Sequence, residues 1–335
     1  MEYGGATPLV APATGGVIVL LVEEHRSALA LIDVDGRTVW EHRVKHWPSS
    51  PTCPPTVDHG RLYYGSYDDL LVLDVVSGKE VQRGRLPMGG YVGAAPLPVD
   101  NLLLLPTGRL LALDRSSLGV VWGSDRASAV DAQPVVGDGA VYLAAYRELM
   151  CLELGSGKTV WRSDCGENDP QFFHRPTLLG DRMFVPVGRH WRALLCVRRA
   201  DGRAEWRNDL DQDRPAFNVT YGFDSSCTLV GDSVLVGSPN GRLYALEQSN
   251  GSVLWRFCTG GAILARPLLV GDVVLCGSTD GHLYAVNPAD GQMLWKIDVG
   301  GEVWDPPVFQ DNLMFVTALR LSGHAGEGRL CAMEL

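Results

Sequence analysis

Residues 266–286 read RPLLVGDVVLCGSTDGHLYAV, short apolar runs separated by short polar breaks. An apolar run meets a Gly-Asp break, a second run follows, and a Gly-containing break leads into a third. Runs of this length, bounded by turn residues, predict β-strands, and no stretch carries the period of an amphipathic helix. The same break recurs as VGDG (136–139), LGDR (179–182), VGDS (230–233) and VGDV (270–273). Looser versions are VDHG (57–60), VDNL (99–102) and FQDN (309–312).

Downstream of each break lies an 11-residue hairpin pattern. Its copies are ALIDVDGRTVW (30–40), VLDVVSGKEVQ (72–82), ALDRSSLGVVW (112–122), CLELGSGKTVW (151–161), CVRRADGRAEW (196–206), ALEQSNGSVLW (245–255) and AVNPADGQMLW (285–295). An eighth copy begins at CAMEL (331–335). Turns such as Asp35-Gly36, Asn250-Gly251 and Asp290-Gly291 reverse the chain inside the pattern. Each unit is therefore four antiparallel strands, A to D. Units of this kind repeating every ~40–50 residues predict an all-β propeller, in which radial packing buries faces that no single blade could bury. The whole of 1–335 reads as one propeller domain of eight blades, with seven as the alternative count. The eighth unit supplies strands A (305–309), B (313–317) and C (329–333), and the N-terminal MEYGG is the expected fourth strand, closing the ring and removing an open edge.

The small residue, the acidic or similar residue, the glycine near position seven and the tryptophan at eleven resemble the tryptophan-docking motif of the quinoprotein (PQQ-like) β-propeller repeat family. The resemblance covers nearly the whole chain. It implies that Trp40, Trp122, Trp161, Trp206, Trp255 and Trp295 pack between neighbouring blades, with Gln82 leaving a looser seam in blade two. It also implies that Cys151, Cys196 and Cys331 fill the same small-residue position as Ala30, Ala112, Ala245 and Ala285. The family includes quinone-dependent alcohol dehydrogenases, the lipoprotein of outer-membrane assembly, and sensor or scaffold domains. Its quinone enzymes carry adjacent cysteines, calcium ligands and long insertions. This chain has no Cys-Cys pair and few residues outside its blades, so no quinone cofactor is expected.

A net charge of −10 without any basic run argues against nucleic acid or an anionic membrane as partner. VIVLLV (17–22) is of strand length, too short for a membrane span, and has no signal-peptide layout around it. The eight cysteines are scattered, with no C-x-x-C pair, as free thiols in a reducing compartment would be. The expected location is the cytoplasm.

In a four-stranded meander, A–B and C–D turns share one face, and B–C and D–A connections share the other. All variation in length falls on the second face: D–A connections 41–54, 162–175 and 207–226, and B–C connections 187–192 and 318–328. Insertions gather on the binding side of a repeat scaffold. His25, His46, His174, His190, His282 and His324 map there, as do Trp47, Trp191 and Trp304. Residues entering strand A should line a central funnel: Tyr91, Asp131, His174, Arg175, Asp224, Arg266, Trp304 and Asp305. Arginine and histidine beside carboxylates can bind an anionic or polar ligand or move protons. No metal is expected, because the histidines lie in different loops without ligand spacing, and DLDQD (209–213) lacks the rest of a calcium loop.

The leading expectation is a propeller that binds a small molecule or a protein partner on the D–A/B–C face. The alternative is a cofactor-independent lyase, cyclase or isomerase. In that case His174 or Asp305 is acid or base, Arg175 and Arg266 steady negative charge, and Trp304 packs the substrate.

Overall fold

The computed structural model describes residues 2–4, 9–13, 15–23, 26–44, 54–66, 69–86, 92–125, 132–145, 148–165, 174–187, 193–210, 226–310, 312–322 and 325–334. These residues form eight four-stranded antiparallel sheets, the blades of an eight-bladed β-propeller, with no helix among them. Strands A to D of blade 1 are Leu9–Ala13, Gly16–Glu23, Arg26–Ile32 and Thr38–Val44; those of blade 2 are Thr56–Asp58, Arg61–Gly65, Asp69–Asp74 and Glu80–Arg85. Blade 3 holds Leu97–Val99, Leu102–Pro106, Leu110–Asp114 and Val120–Gly123, and blade 4 holds Val135–Gly137, Ala140–Ala145, Glu148–Glu153 and Thr159–Ser163. Blade 5 holds Thr177–Leu179, Arg182–Val187, Ala193–Arg198 and Ala204–Asp209, and blade 6 holds Thr228–Val230, Ser233–Ser238, Arg242–Glu247 and Val253–Cys258. Blade 7 is Leu268–Val270, Val273–Gly277, His282–Val286 and Met293–Asp298. Blade 8 takes Val308–Gln310, Leu313–Ser322 and Ala325–Glu334 from the end of the chain and Glu2–Gly4 from its beginning, as the sequence predicts. Two compact units are distinct: Met1–Gln133 with Pro307–Leu335, holding blades 8 and 1 to 3, and Pro134–Pro306, holding blades 4 to 7.

Burial follows strand position. Strands B and C lie between sheets on both faces, so they are continuous apolar runs: LLLLP in blade 3 and LLCV within blade 5 are wholly buried. Strands D are outermost and alternate, as in VLWRFC. In blades 2, 3, 4 and 6 the C–D hairpin is anchored by the acid at the third motif position, Asp74, Asp114, Glu153 or Glu247. In blade 6, Gly251 N donates to Glu247 O at 2.8 Å, while Ser249, Asn250 and Ser252 donate to the Glu247 carboxylate. In blade 3, the hydroxyls and amides of Ser116 and Ser117 hold the Asp114 carboxyl down at about 2.

The tryptophan and glycine of the motif meet across blades. The indole of Trp40 donates to Val75 O at 3.0 Å, that of Trp161 to Arg199 O at 2.9 Å, Trp206 to Gln248 O at 3.1 Å and Trp255 to Pro288 O at 2.9 Å. Each ring lies on the glycine of the next hairpin. A Cβ on Gly251 would sit 2.4 Å from Trp206, and one on Gly291 2.5 Å from Trp255. Position seven must be glycine there both for its left-handed backbone, φ +74° at Gly251, and for the room it leaves.

Four details depart from the sequence expectation. Blade 2 is not a loose seam. Gln82 Nε2 still donates to Ser116 O at 3.0 Å, and the following hairpin puts Leu118 where the others have glycine. Leu118 is buried at φ 56°, so the leucine fills what the missing indole leaves. In blade 1 the hairpin is one residue tighter, so Leu31, not Ala30, pairs with Trp40. In blade 8, Ala332, not Cys331, takes the small-residue position: it pairs with Phe315, whose ring packs toward Ala30 and Ile32 of blade 1. Residues 318–322 and 325–328 are also paired strand, not the loop expected. Strands B and C run on as a ten-residue hairpin from Leu313↔Glu334 to Ser322↔Ala325.

Candidate functional site

Of the eight predicted funnel residues, Tyr91, Asp131 and Asp224 lie outside the described residues, as do His25, His46, His190, His324, Trp47 and Trp191. His174, Arg175, Arg266, Trp304 and Asp305 are described, all half-buried on D–A connections of the second unit.

These connections are held by a recurring backbone pattern. Thr259 N donates to Gly241 O at 2.8 Å and Ile263 N to Ser238 O at 3.1 Å; one blade on, Val299 N donates to Gly281 O at 3.0 Å and Val303 N to Ser278 O at 3.1 Å. Each connection is thus pinned to the B–C turn of the blade it leaves. Its apolar residue then presses onto a glycine of strand B. A Cβ on Gly237 would lie 2.4 Å from Ile263, one on Gly277 2.3 Å from Val303, and in the first unit one on Gly65 2.5 Å from Val92. Counting from these residues, Trp304 occupies the position of Leu264, Asp305 that of Ala265, and Arg266 one place further. His174 N donates to Pro186 O at 3.0 Å as Gly93 N does to Pro106 O at 2.9 Å, which puts His174 at the Trp304 position and Arg175 at the Asp305 position.

Each side chain has a local setting. The Trp304 indole donates to Glu302 Oε2 at 2.7 Å and its ring packs on Ala262 and Leu264. Arg266 Nε is buried with no hydrogen-bond partner among the described residues. A half-buried arginine fixed on a rigid connection, with donor capacity unused, is equipped to take a carboxylate or carbonyl from outside.

The B–C turn of blade 7 carries a carboxylate that is fully engaged. Asp280 Oδ2 accepts from Gly260 N and from the Tyr284 hydroxyl, each at 2.7 Å, and Oδ1 accepts from His282 N at 3.1 Å. Burial pushes the Asp280 carboxyl up, but these hydrogen bonds prevail and hold it below the ordinary value. Thr279 Oγ1 accepts from Ala262 N at 2.8 Å, joining the same turn to the preceding connection. Burial, with Asp280 nearby, pushes the Cys276 thiol up to about 12, so it is an unreactive core group. Among the described residues, no group of three or more His, Cys, Asp or Glu side chains could hold a metal ion.

On the face of the A–B and C–D turns, two clamps repeat that the sequence reading missed. Arg115 of blade 3 donates to the Tyr63 hydroxyl at 3.0 Å and pairs with Asp58, both in blade 2. Arg199 of blade 5 lies 4.9 Å from the Tyr142 ring centre and 2.8 Å from the Asp138 carboxylate, both in blade 4. Both arginines occupy position four of the hairpin motif, where Val75, Gln248 and Pro288 stand elsewhere. A charged residue at one fixed repeat position, with tyrosine in strand B of the preceding unit, was the available signal.

A family model described as the outer membrane protein assembly factor BamB matches residues 25–128, 106–257 and 259–335. The factor of that name from Nitrosomonas eutropha (strain DSM 101675 / C91 / Nm57) is 25% identical over 174 residues, 47% of this chain; the chain thus spans 41% of that relative's length. The crystal structure of BamB from Moraxella catarrhalis is similar with a TM-score of 0.71 at 18% identity, over 95% of this chain and 92% of that one. The computationally designed Ika8 protein gives 0.74 at 15%, over 97% and 96%. Quinohemoprotein alcohol dehydrogenase from Comamonas testosteroni gives 0.74 at 14%, over 97% of this chain and 72% of its own. At such identities the solved structures show a shared fold alone.

Proposed function

The chain belongs to the family of the outer membrane protein assembly factor BamB, and from that membership we propose that it is a rigid scaffold that binds a partner protein through its D–A/B–C connections. The observation that carries the reading is the difference between its two kinds of turn. The A–B and C–D turns are used internally, by indole seats and by the Arg115 and Arg199 clamps. The D–A and B–C connections hold most of the variation in length, and the described ones carry half-buried Arg175 and Arg266 on backbone fixed by hydrogen bonds. Preorganised cations and aromatics on such a frame bind at low entropic cost. Family membership favours a protein over a small metabolite as the partner. The seven described cysteines are free thiols, which supports a reducing compartment, and cell fractionation tests that part separately.

The test is recovery of the tagged chain from its native cells under mild crosslinking. One recurrent protein should copurify with the wild type and with a Lys158→Glu control on a C–D turn. Arg175→Glu and Arg266→Glu should each reduce its recovery at least about tenfold, the loss of a charge-assisted contact. Equal recovery with all four chains contradicts the assignment of the face.

A further inference from the structure

Arg175 and Arg266 hold one place in the repeat. Thr177 pairs with Phe184 as Leu268 pairs with Leu275, so these residues open strand A of blades 5 and 7 in the same register. Each arginine stands two residues before that opening, in Arg175-Pro176-Thr177 and Arg266-Pro267-Leu268. The connection into blade 5 is one residue shorter than that into blade 3 between anchor and strand: His174 precedes Thr177 by three, Gly93 precedes Leu97 by four. Arg175 thus matches Asp305 by its anchor and Arg266 by its strand. The proline that follows holds each arginine's backbone extended. Ser226, which is buried, has the same place on the connection into blade 6.

The three connections are tied side by side. Thr177 Oγ1 donates to Cys227 O at 3.0 Å, and Thr228 Oγ1 donates to Pro267 O. The two arginines are therefore carried on one hydrogen-bonded frame, separated by the connection into blade 6. Arg266 Nε is buried with no hydrogen-bond partner among the described residues, a desolvated donor that a ligand oxygen would satisfy. On the described residues of the connections out of blades 4 to 7, the other charged side chains, counting histidine, are Asp164, His174, Glu302 and Asp305. Glu302 and Asp305 share the connection out of blade 7 with Trp304. The Trp304 indole N–H is taken by Glu302, and its ring packs on Ala262 and Leu264, shortly before Arg266. Cations thus stand on the connections into blades 5 and 7, and an aromatic ring flanked by acids stands on the next one.

We propose that these connections bind a short acidic segment of the partner protein, with one carboxylate on Arg175, one on Arg266, and an aliphatic or aromatic side chain beside the second, on the ring of Trp304. The inference rests on the proposed D–A/B–C binding face and names what that face recognises. A guanidinium takes a carboxylate through two parallel N–H donors, a geometry that arginines on fixed backbone present ready-made. Glu302 and Asp305 disfavour a third acid, so the side chain at Trp304 is apolar. The two cations lie on separate connections, which favours acids carried along one extended chain over a small dicarboxylate.

The probes are capped, fluorescein-labelled peptides Ser-Glu-(Ser)n-Glu-Leu-Ser, with one to four serines between the acids, their reversed sequences, and the same peptides with glutamine for glutamate. Fluorescence anisotropy should show at least one spacing binding about tenfold more tightly than its glutamine form. Arg175→Gln and Arg266→Gln should each remove most of that margin, while Lys158→Glu keeps it. Displacement of the peptide by an equal concentration of succinate would make the ligand a free dicarboxylate and overturn the assignment to a protein segment. In native cells, carbodiimide treatment of Arg175→Lys and Arg266→Lys chains should couple both positions to acidic residues within one short segment of the recovered partner. No preference for glutamate at any spacing overturns the proposal, as does coupling to separate segments or to none. If the partner is still lost with Arg175→Glu and Arg266→Glu while the peptides show no preference, the binding face stands and this inference alone fails.

Discussion

Gln82 and Leu118 are the residue-scale evidence that this chain adjusts both sides of a seam together. In four other seams a broad indole lies on a bare glycine: Trp40 on Gly78, Trp161 on Gly202, Trp206 on Gly251 and Trp255 on Gly291. Here a small amide keeps only the hydrogen bond to Ser116, and a leucine accepts a left-handed backbone to fill the gap. Gln82→Trp should therefore cost about 1–3 kcal/mol by overpacking against Leu118. Leu118→Gly should cost about 2–4 kcal/mol by opening a cavity. The double variant, which restores the usual pair, should be more stable than the sum of the two by at least about 1 kcal/mol in urea denaturation. Additivity would mean that the two side chains do not share one space. Asp280 makes a second residue-scale case. Its carboxyl is held below the ordinary value in the folded state, so the stability it adds is present above about pH 4 and is lost as the pH falls through the lowered value. Asp280→Asn should cost about 2 kcal/mol at pH 7, a gap that narrows as the medium is acidified below about pH 4. A gap constant over that range would show that the charge is immaterial.

At the scale of the element, strands and hairpins were legible because their signals are local. Alternation, Gly-Asp breaks and the recurring tryptophan are enough to fix four strands per unit and the donation of Glu2–Gly4 to blade 8. What escaped depends on contacts between units. The tryptophan at position eleven and the glycine at position seven look like parts of one hairpin, and they meet only across a seam. The arginines at position four, Arg115 and Arg199, likewise reveal themselves only beside Tyr63 and Tyr142 of the preceding blade. The one-residue contraction of the blade 1 hairpin misaligns Ala30 with Ala245, because glycine and tryptophan keep their spacing while the shift falls before them. The extended hairpin was hidden by Gly326 and Gly328, which read as a loop and stand on paired strand. The candidate site was legible only in part. Position on the connections could be read for His174, Arg175, Arg266, Trp304 and Asp305, but the Trp304–Glu302 hydrogen bond could not.

At the scale of the whole molecule, a net charge of −10 and eight blades built to one plan describe a frame that is far more uniform than its connections. Repeats stabilise through neighbour contacts, which leaves connections free to vary without loss of the scaffold. No helix among the described residues is long and apolar enough to cross a membrane. Under the proposed function, partner recognition falls on the D–A/B–C connections, while the opposite turns carry the internal indole and arginine contacts. The most direct measurement is a crosslink map of the chain in its native cells, read residue by residue by mass spectrometry. The account predicts that crosslinks to one recurrent protein concentrate on the D–A and B–C connections, including those bearing Arg175 and Arg266. Crosslinks concentrated on the A–B and C–D turns, around Lys79 and Lys158, would contradict it.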